Sequence, residues 1–408
     1  MTGPELVALG HAAIAKAHEL ILLGGVLGLL SIVAGLLSRR VGAPMLLVFL
    51  ALGMLAGEDG VLGIPYDDFA SAYLIGSVAL AVILFEGGLK TPASMFRLAF
   101  WPAAVLATIG VALTAIILGM FVALVDGVPL LGALLVGAVA APTDAAAVAV
   151  LLRGARAALP ERLLAMLEIE SGLNDPMSVF LTFLLLHLII EPGSVGIVQG
   201  VLLFLEEMAG GAALGLLGGW ALGQLLKRLP LEASLAPVLV LAGGLAVFGL
   251  AQLLGTSGFL ATYLAAVVTG ASQHRMRQDV EHFFEGMAWL AQIVLFLMLG
   301  LLVTPRTLPP YLPGAVIGAA ALIFVARPVA VFACLLPFGF NLRETTFASW
   351  VGLRGAVPIY LSIIPALADP NRDQRLFASI FILVIASLIV QGWTVAGAAR
   401  LLGFGRRG

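Results

Sequence analysis

The sequence predicts an all-α polytopic membrane protein of about thirteen transmembrane helices. Three observations carry that prediction. Hydrophobic residues make up 61% of the chain and charged residues 11%, the mean hydropathy is +1.12, and the apolar residues recur in runs long enough to cross a bilayer. An average soluble domain carries about 25% charged residues, and a soluble chain has no means of hiding this much apolar surface. One membrane domain spanning residues 1–408 is therefore expected. A net charge of -2 excludes a nucleic-acid partner, and the single Cys334 excludes an intrachain disulfide. Glu5 and His11 precede the first apolar run without a basic segment or a small-residue cleavage site. That run is expected to stay as the first span and not to be removed as a signal peptide.

Apolar runs of roughly 17 to 25 residues bounded by charge, proline or glycine clusters place span centres near about 28, 50, 79, 112, 141, 177, 217, 244, 265, 293, 324, 356 and 388. The second span is short, about 43 to 57, and the fifth is interrupted by Pro142 and Asp144. The seventh is expected to start at Met208, which leaves Glu206 and Glu207 at the interface. Loop charges test the count, because Lys and Arg accumulate on the cytoplasmic side. Loops after odd-numbered spans and the tail hold Arg39, Arg40, Lys90, Arg97, Arg153, Arg156, Arg162, Lys227, Arg228, Arg275, Arg277, Arg343, Arg400, Arg406 and Arg407. The opposite side holds Lys16, Arg306, Arg372 and Arg375. This split puts the N-terminus outside and the C-terminus in the cytoplasm.

Ile83 to Leu89 can be laid on Leu295 to Leu301, and Met45 to Ala56 on Phe259 to Gly270, at nearly equal offsets. Spans seven apart run in opposite senses, so a repeat here has inverted topology, a common transporter architecture. The expected repeats cover about 19–190 and 234–402, joined by a span at about 208–227.

Seven charges fall inside the spans: Glu86, Asp144, Glu168, Glu170, Asp175, Arg327 and Arg354. Each costs about 2.5 to 3.5 kcal/mol at the bilayer centre, so each needs a partner or a water-filled cavity. The fifth span reads Ala141-Pro142-Thr143-Asp144. Proline removes a backbone donor and disfavours helix just before it, so this helix is expected to break, with Asp144 able to cap its second half. In the sixth span Ser171 and Asp175 share one helical face while Glu170 and Asn174 share the next. One face thus offers an oxygen site with Thr143 and Asp144 opposite, suited to a hard cation; a purely structural polar network is the plainer alternative. The twelfth span carries Gly352-Leu353-Arg354-Gly355 before Pro358, again an interrupted helix. Two broken helices at corresponding positions of inverted halves point to a midplane site.

These motifs, Ala-Pro-Thr-Asp at 141–144, Glu-Ser-Gly-Leu-Asn-Asp-Pro at 170–176, Ala-Arg-Pro at 326–328 and Gly-Leu-Arg-Gly at 352–355, resemble the NhaP group of the first monovalent cation/proton antiporter family. The resemblance covers nearly the whole chain, and the Asn-Asp pair is its most specific element. Leu-Phe-Glu-Gly-Gly-Leu at 84–89 and Phe-Glu-Gly-Met at 284–287 look closest to the cell-volume-regulation branch, whose members are potassium/proton antiporters. The resemblance implies an NhaA-like fold with two crossing broken helices, a homodimer in the cell inner membrane, and alternating access with cation and proton as the only cargo and no cofactor. It implies that Asp175 is the ion and proton carboxylate, with Thr143, Asp144 and Ser171 beside it and Glu86 near the site. The monovalent cation would be held by Asp175, Thr143 and Ser171. Asn174 is similar to the electroneutral members, Glu170 would pair with Arg327, and Arg354 would balance charge where the broken helices cross. Members of this branch usually continue into a cytoplasmic regulatory domain, which is absent from a sequence ending at Gly408.

Two other function classes are weaker fits. A cation channel needs a continuous polar stripe along its pore, whereas these charges gather near the middle of spans five, six and twelve. An intramembrane enzyme needs an activated nucleophile; no His-Glu-x-x-His pattern occurs, and Ser171 has no intramembrane histidine beside it, His187 lying four turns further out. The expectation is a cation/proton antiporter, not an enzyme, with potassium favoured and sodium possible.

Overall fold

The computed structural model describes residues 3–41, 44–154, 159–230, 232–272, 276–368 and 375–405. Arg156, Arg275, Arg372, Arg406, Arg407 and Gly408 lie outside the described residues, as do the side chains of Glu5, His11, Lys16, Arg39, Arg40 and Arg153. The chain opens with α1 (Gly3–Val41), α2 (Met45–Ala56) and α3 (Phe69–Lys90). Next come α4 (Ala93–Val105), a π-helical turn at Leu106–Gly110, and α5 (Val111–Asp126) in one unbroken rod. Then follow α6 (Leu130–Ala140), α7 (Ala145–Gly154), α8 (Glu161–Ile190), α9 (Ile197–Arg228), α10 (Leu235–Leu253), α11 (Gly258–Ala271) and α12 (Arg277–Leu301). The last part holds α13 (Leu312–Ala321), a second π turn at Leu322–Ala326, α14 (Arg327–Leu335), α15 (Leu342–Trp350), α16 (Ala356–Leu361), α17 (Ile363–Ala368) and α18 (Arg375–Leu401).

Among the described residues, 10 helical stretches are long and apolar enough to cross a bilayer. Three shorter apolar helices, Met45–Ala56, Gly258–Ala271 and Ala356–Ala368, fall where the second, ninth and twelfth spans are expected. The span count is thus the expected one, with one correction. α9 begins at Ile197, not Met208, so Glu206 and Glu207 lie within it. At 32 residues this helix is about 48 Å long against a hydrocarbon core of about 30 Å. Its ends therefore extend about 9 Å beyond that core on each side, and Glu206 and Glu207, the tenth and eleventh residues of the helix, lie nearer the edge of the core than its centre.

Two packing groups share the helices. α2, α3, α9, α10, α11 and α12 pack mainly on one another; α4 to α8 and α13 to α18 form the other group; and α3, α11 and α12 meet α8, α16 and α17 along the seam. Lipid offers no hydrophobic drive between helices, so close backbone approach has to supply the contact. Gly211, Gly215 and Gly219 make a four-residue stripe on α9, and a Cβ at Gly215 would sit 2.5 Å from the Ala261 carbonyl of α11. Gly53 of α2 and Gly300 of α12 likewise leave no room for a side chain at either position.

Both interrupted helices belong to the second group. α6 stops at Ala140 and α7 starts at Ala145, leaving 141–144 unwound around Pro142. α15 stops at Trp350 and α16 starts at Ala356, leaving 351–355 unwound, with Gly352 and Gly355 on either side of Leu353 and Arg354. The π turn at Leu322–Ala326 ends directly on Arg327. Pro328 has no N–H for the carbonyl four residues back, so the helix is under-bonded at this point and the wider turn forms there.

Candidate functional site

The two unwound segments cross and hold each other. Asp144 donates its backbone N–H to the Leu353 carbonyl at 2.8 Å. Arg354 donates to the Pro142 carbonyl at 2.9 Å and to the Ala141 carbonyl, placing positive charge at the negative end of α6. Asp144 accepts the Ala147 N–H at 2.9 Å and so caps α7. A Cβ on Gly355, which precedes α16, would lie 2.5 Å from Asp144 Oδ2. One carboxylate thus stands at the positive ends of two half-helices and one guanidinium at a negative end, so the exposed ends at the breaks face charges of opposite sign.

The glycines flanking Arg354 follow from this crowding. Gly355 clears Asp144, and Gly352 clears Arg327, whose Nε a Cβ would approach to 2.8 Å. α18 holds the second break from behind: Arg354 donates its N–H to Ser387 Oγ at 3.1 Å, Ser387 donates to Gln391 Oε1 at 2.6 Å, and Gln391 Nε2 caps the Trp350 carbonyl at 2.8 Å. Sequence reasoning missed Ser387 and Gln391. Their signal was available as two polar residues at i, i+4 in an otherwise apolar span.

α8 faces this crossing with two buried carboxylates in very different surroundings. Glu170 is saturated. Arg327 Nη1 and Nη2 reach its two oxygens at 3.0 and 3.3 Å, Thr143 Oγ1 donates at 3.2 Å, and Asn174 Nδ2 donates at 3.0 Å. Asn174 Nδ2 also reaches Thr143 Oγ1 at 2.7 Å. Asp175, one turn on, is 7% exposed, and its Oδ1 has no hydrogen-bond partner among the described residues. Asn174 Oδ1 and Ser178 Oγ share that condition. Asp144 and Glu170 are the charged neighbours that bear on the Asp175 carboxylate.

Thr143 and Ser171 were expected beside Asp175 as cation ligands, and the structure gives their hydroxyls other work first. Thr143 Oγ1 spends its proton on Glu170 and one lone pair on Asn174. Ser171 Oγ donates to the Thr143 carbonyl at 2.9 Å and accepts the Ala145 N–H at 3.1 Å. Each hydroxyl retains one lone pair, so both tie the first break to α8 with limited capacity left for a cation. Glu86 is placed elsewhere. It pairs with Lys90 at 2.5 Å, one turn along α3, and Lys90 also approaches Glu285 of α12 at 3.7 Å. The reason is local: the i, i+4 spacing brings a lysine to the carboxylate before any other group can reach it.

Two recesses flank the site. Asp175 lines a closed, tightly packed recess with Leu80, Leu84, Val179, Phe259, Val357 and Tyr360. Thr143, Glu168 and Glu170 line a separate crevice bounded by Leu152, Leu164 and Val351. The chemistry available is reversible: a buried carboxylate oxygen with no hydrogen-bond partner among the described residues can take a proton or a dehydrated monovalent cation.

Two broken helices that cross and compensate each other, beside a buried carboxylate with a free oxygen, define an ion-coupled secondary transporter. The chain belongs to the sodium/hydrogen exchanger transmembrane family, which it matches over residues 28–400. It is 44% identical over 387 residues to the potassium/proton antiporter NhaP2 of Shewanella sp. strain ANA-3, covering 94% of this chain and 67% of that protein. It is 27% identical over 392 residues to the sodium/proton antiporter NhaH of Halobacillus dabanensis, covering 91% and 94%. The fold is similar to that of the sodium proton antiporter MjNhaP1 from Methanocaldococcus jannaschii at pH 8, with a TM-score of 0.80, 23% identity, and coverage of 94% of this chain and 100% of that one. These relatives are antiporters, not enzymes.

Proposed function

We propose that this multi-pass membrane protein exchanges a monovalent cation, potassium in preference to sodium, for a proton, and that both compete for Asp175 by alternating access. The observation that carries this reading is the buried Asp175 Oδ1 without a partner among the described residues, one turn from a carboxylate held by Arg327, Thr143 and Asn174. Asn174 supplies an uncharged neighbour where a second acid would add a charge, so one proton exchanges for one cation. Thr143 and Ser171 hold the broken helix against α8, Asp144 caps α7 at the break, and Arg354 balances its charge. Similarity to NhaP2, a protein named for potassium/proton antiport, favours potassium.

The proposed setting is the inner membrane, as a homodimer serving cell-volume regulation, with the N-terminus outside and the C-terminus in the cytoplasm, as the uneven split of basic residues supports. Inverted repeats are part of the same proposal. Support comes from the short helices α2 and α11 and from the two breaks, each pair lying seven spans apart in the order. Proteoliposome flux read with a pH dye under potassium, sodium and lithium gradients tests the reading. Potassium should drive the fastest proton exchange, and raising it should move the pH optimum downward, since a bound cation favours the ionised carboxylate. Membrane potential at fixed ion gradients should leave the rate unchanged. A steep voltage response would overturn the one-for-one stoichiometry, and no cation-driven proton flux at all would overturn antiport.

A further inference from the structure

The recess beside Asp175 lies on the seam between the two helix groups. Leu80, Leu84 and Phe259 come from one group; Asp175, Val179, Val357 and Tyr360 come from the other. Tyr360 is only 1% exposed, yet it sits on α16 with its ring and hydroxyl engaged across the seam. Its ring stacks on Tyr73 of α3 with centroids 5.5 Å apart and planes at 16°, and meets Phe259 of α11 edge-on at 6.3 Å and 83°. Its hydroxyl lies 2.7 Å from Ser77 Oγ. Ser77 gives its single proton to the Tyr73 carbonyl at 2.7 Å, so the tyrosine hydroxyl is the donor in this bond. α3 makes room for the ring with Gly76, where a Cβ would lie 2.6 Å from Tyr360 Cδ2. A side chain of one group is thus socketed in the other by stacking, edge contact, shape and a buried hydrogen bond at once.

We infer that Tyr360 is a latch that closes the Asp175 recess toward the outer face, with Ser77, Tyr73 and Phe259 as its socket. The inference rests on the antiport reading and on its orientation. In that orientation α3 and α11 start outside and α8 ends outside. Tyr73 and Ser77 then lie outward of Leu80, Val179 outward of Asp175, and Phe259 at the outer end of its helix. The crevice at Glu168, bounded by Leu152 and Leu164, lies toward the other face. A cation from outside reaches Asp175 only after the ring leaves its socket, which requires the two groups to separate at this contact. The socket therefore sets how often the outward-open form occurs, without touching the ion.

The test measures access and does not depend on transport. In the full chain carrying Cys334→Ser and Val179→Cys, a membrane-impermeant maleimide is applied from the outside of sealed vesicles, with Asp67→Cys as the control for that side. Tyr360→Phe keeps the ring and deletes the hydrogen bond, and should raise outside labelling about threefold. Tyr360→Ala empties the socket and should raise it about tenfold or more. Ser77→Ala deletes the same bond from the other partner, should match Tyr360→Phe, and should add nothing to it; it also serves if the tyrosine variants do not fold. Unchanged outside labelling in these variants, or a rise from the inner side alone, would overturn the latch. The antiport reading is tested separately by flux in the chain with Tyr360 intact, so either can fail alone.

Discussion

Glu170 and Asp175 stand five residues apart on one helix, both buried and both facing the crossing of the broken helices, yet the structure treats them as opposites. Glu170 accepts from Arg327, Thr143 and Asn174. Asp175 Oδ1 accepts from nothing among the described residues. A buried charge with all its partners is fixed, because removing any partner leaves another group desolvated and alone. A buried carboxylate with a free oxygen has a choice of occupant, and transport needs that choice. Burial alone therefore does not separate the two acids; the number of partners each one holds does.

The largest effect should come from Asp175→Asn. The substitution keeps the shape and removes the charge for which cation and proton are proposed to compete, so cation-driven proton flux should fall to background in the proteoliposome assay. Folding should survive, since Asp175 Oδ1 has no hydrogen-bond partner among the described residues. The variant should therefore elute and melt like the parent. Residual flux near the parental rate would move the transported charge to another residue and dissolve the comparison with Glu170.

Glu170→Gln and Arg327→Gln should fail the other way round. Each leaves one charge of a pair that is about 2% exposed on both sides, at a cost of about 3 to 5 kcal/mol. Loss of folded protein should precede loss of turnover, and fluorescence-detected size exclusion after a heat ramp reads this directly. Parental melting in both single variants would show that the pair does not hold α8 to α14.

Much of this was legible in the sequence because lipid imposes strict rules. Apolar runs gave the span order, including the short α2 and α11, and Pro142, Gly352 and Gly355 marked the two breaks because unwound backbone in a membrane must be bracketed by such residues. The Glu170–Arg327 pairing bridges 157 positions, a distance that no local pattern reports; only the family resemblance suggested it. The Ser387–Gln391 clamp went unseen because a hydroxyl and an amide scarcely alter a hydropathy run. The π turn before Arg327 was hidden for a different reason, as Pro328 announces a disturbed helix without saying which kind. Thr143 and Ser171 were placed correctly along the chain, but the order in which their lone pairs are claimed depends on rotamers, which sequence does not encode.

The smallest effect should come from Glu86, whose acidic character inside a span and family position suggested a place near the ion. Its carboxylate instead pairs with Lys90, a residue 45% exposed, and Lys90 leans in turn toward Glu285, 53% exposed. A partly exposed i, i+4 pair contributes about 0.3 to 0.5 kcal/mol, because water and salt compete for both groups and long side chains lose freedom in forming it. Glu86→Gln should therefore shift thermal stability by an amount near the limit of measurement. It should also leave the cation concentration for half-maximal flux within about threefold of the parent. Lys90→Gln should behave alike, since each variant breaks the same weak contact from one side. Glu86 is a third intramembrane acid, neither saturated like Glu170 nor unpartnered at one oxygen among the described residues like Asp175. If Glu86→Gln abolished flux as deeply as Asp175→Asn while Lys90→Gln did not, the carboxylate would lie on the ion path and its bond to Lys90 would be a resting position that the cation displaces.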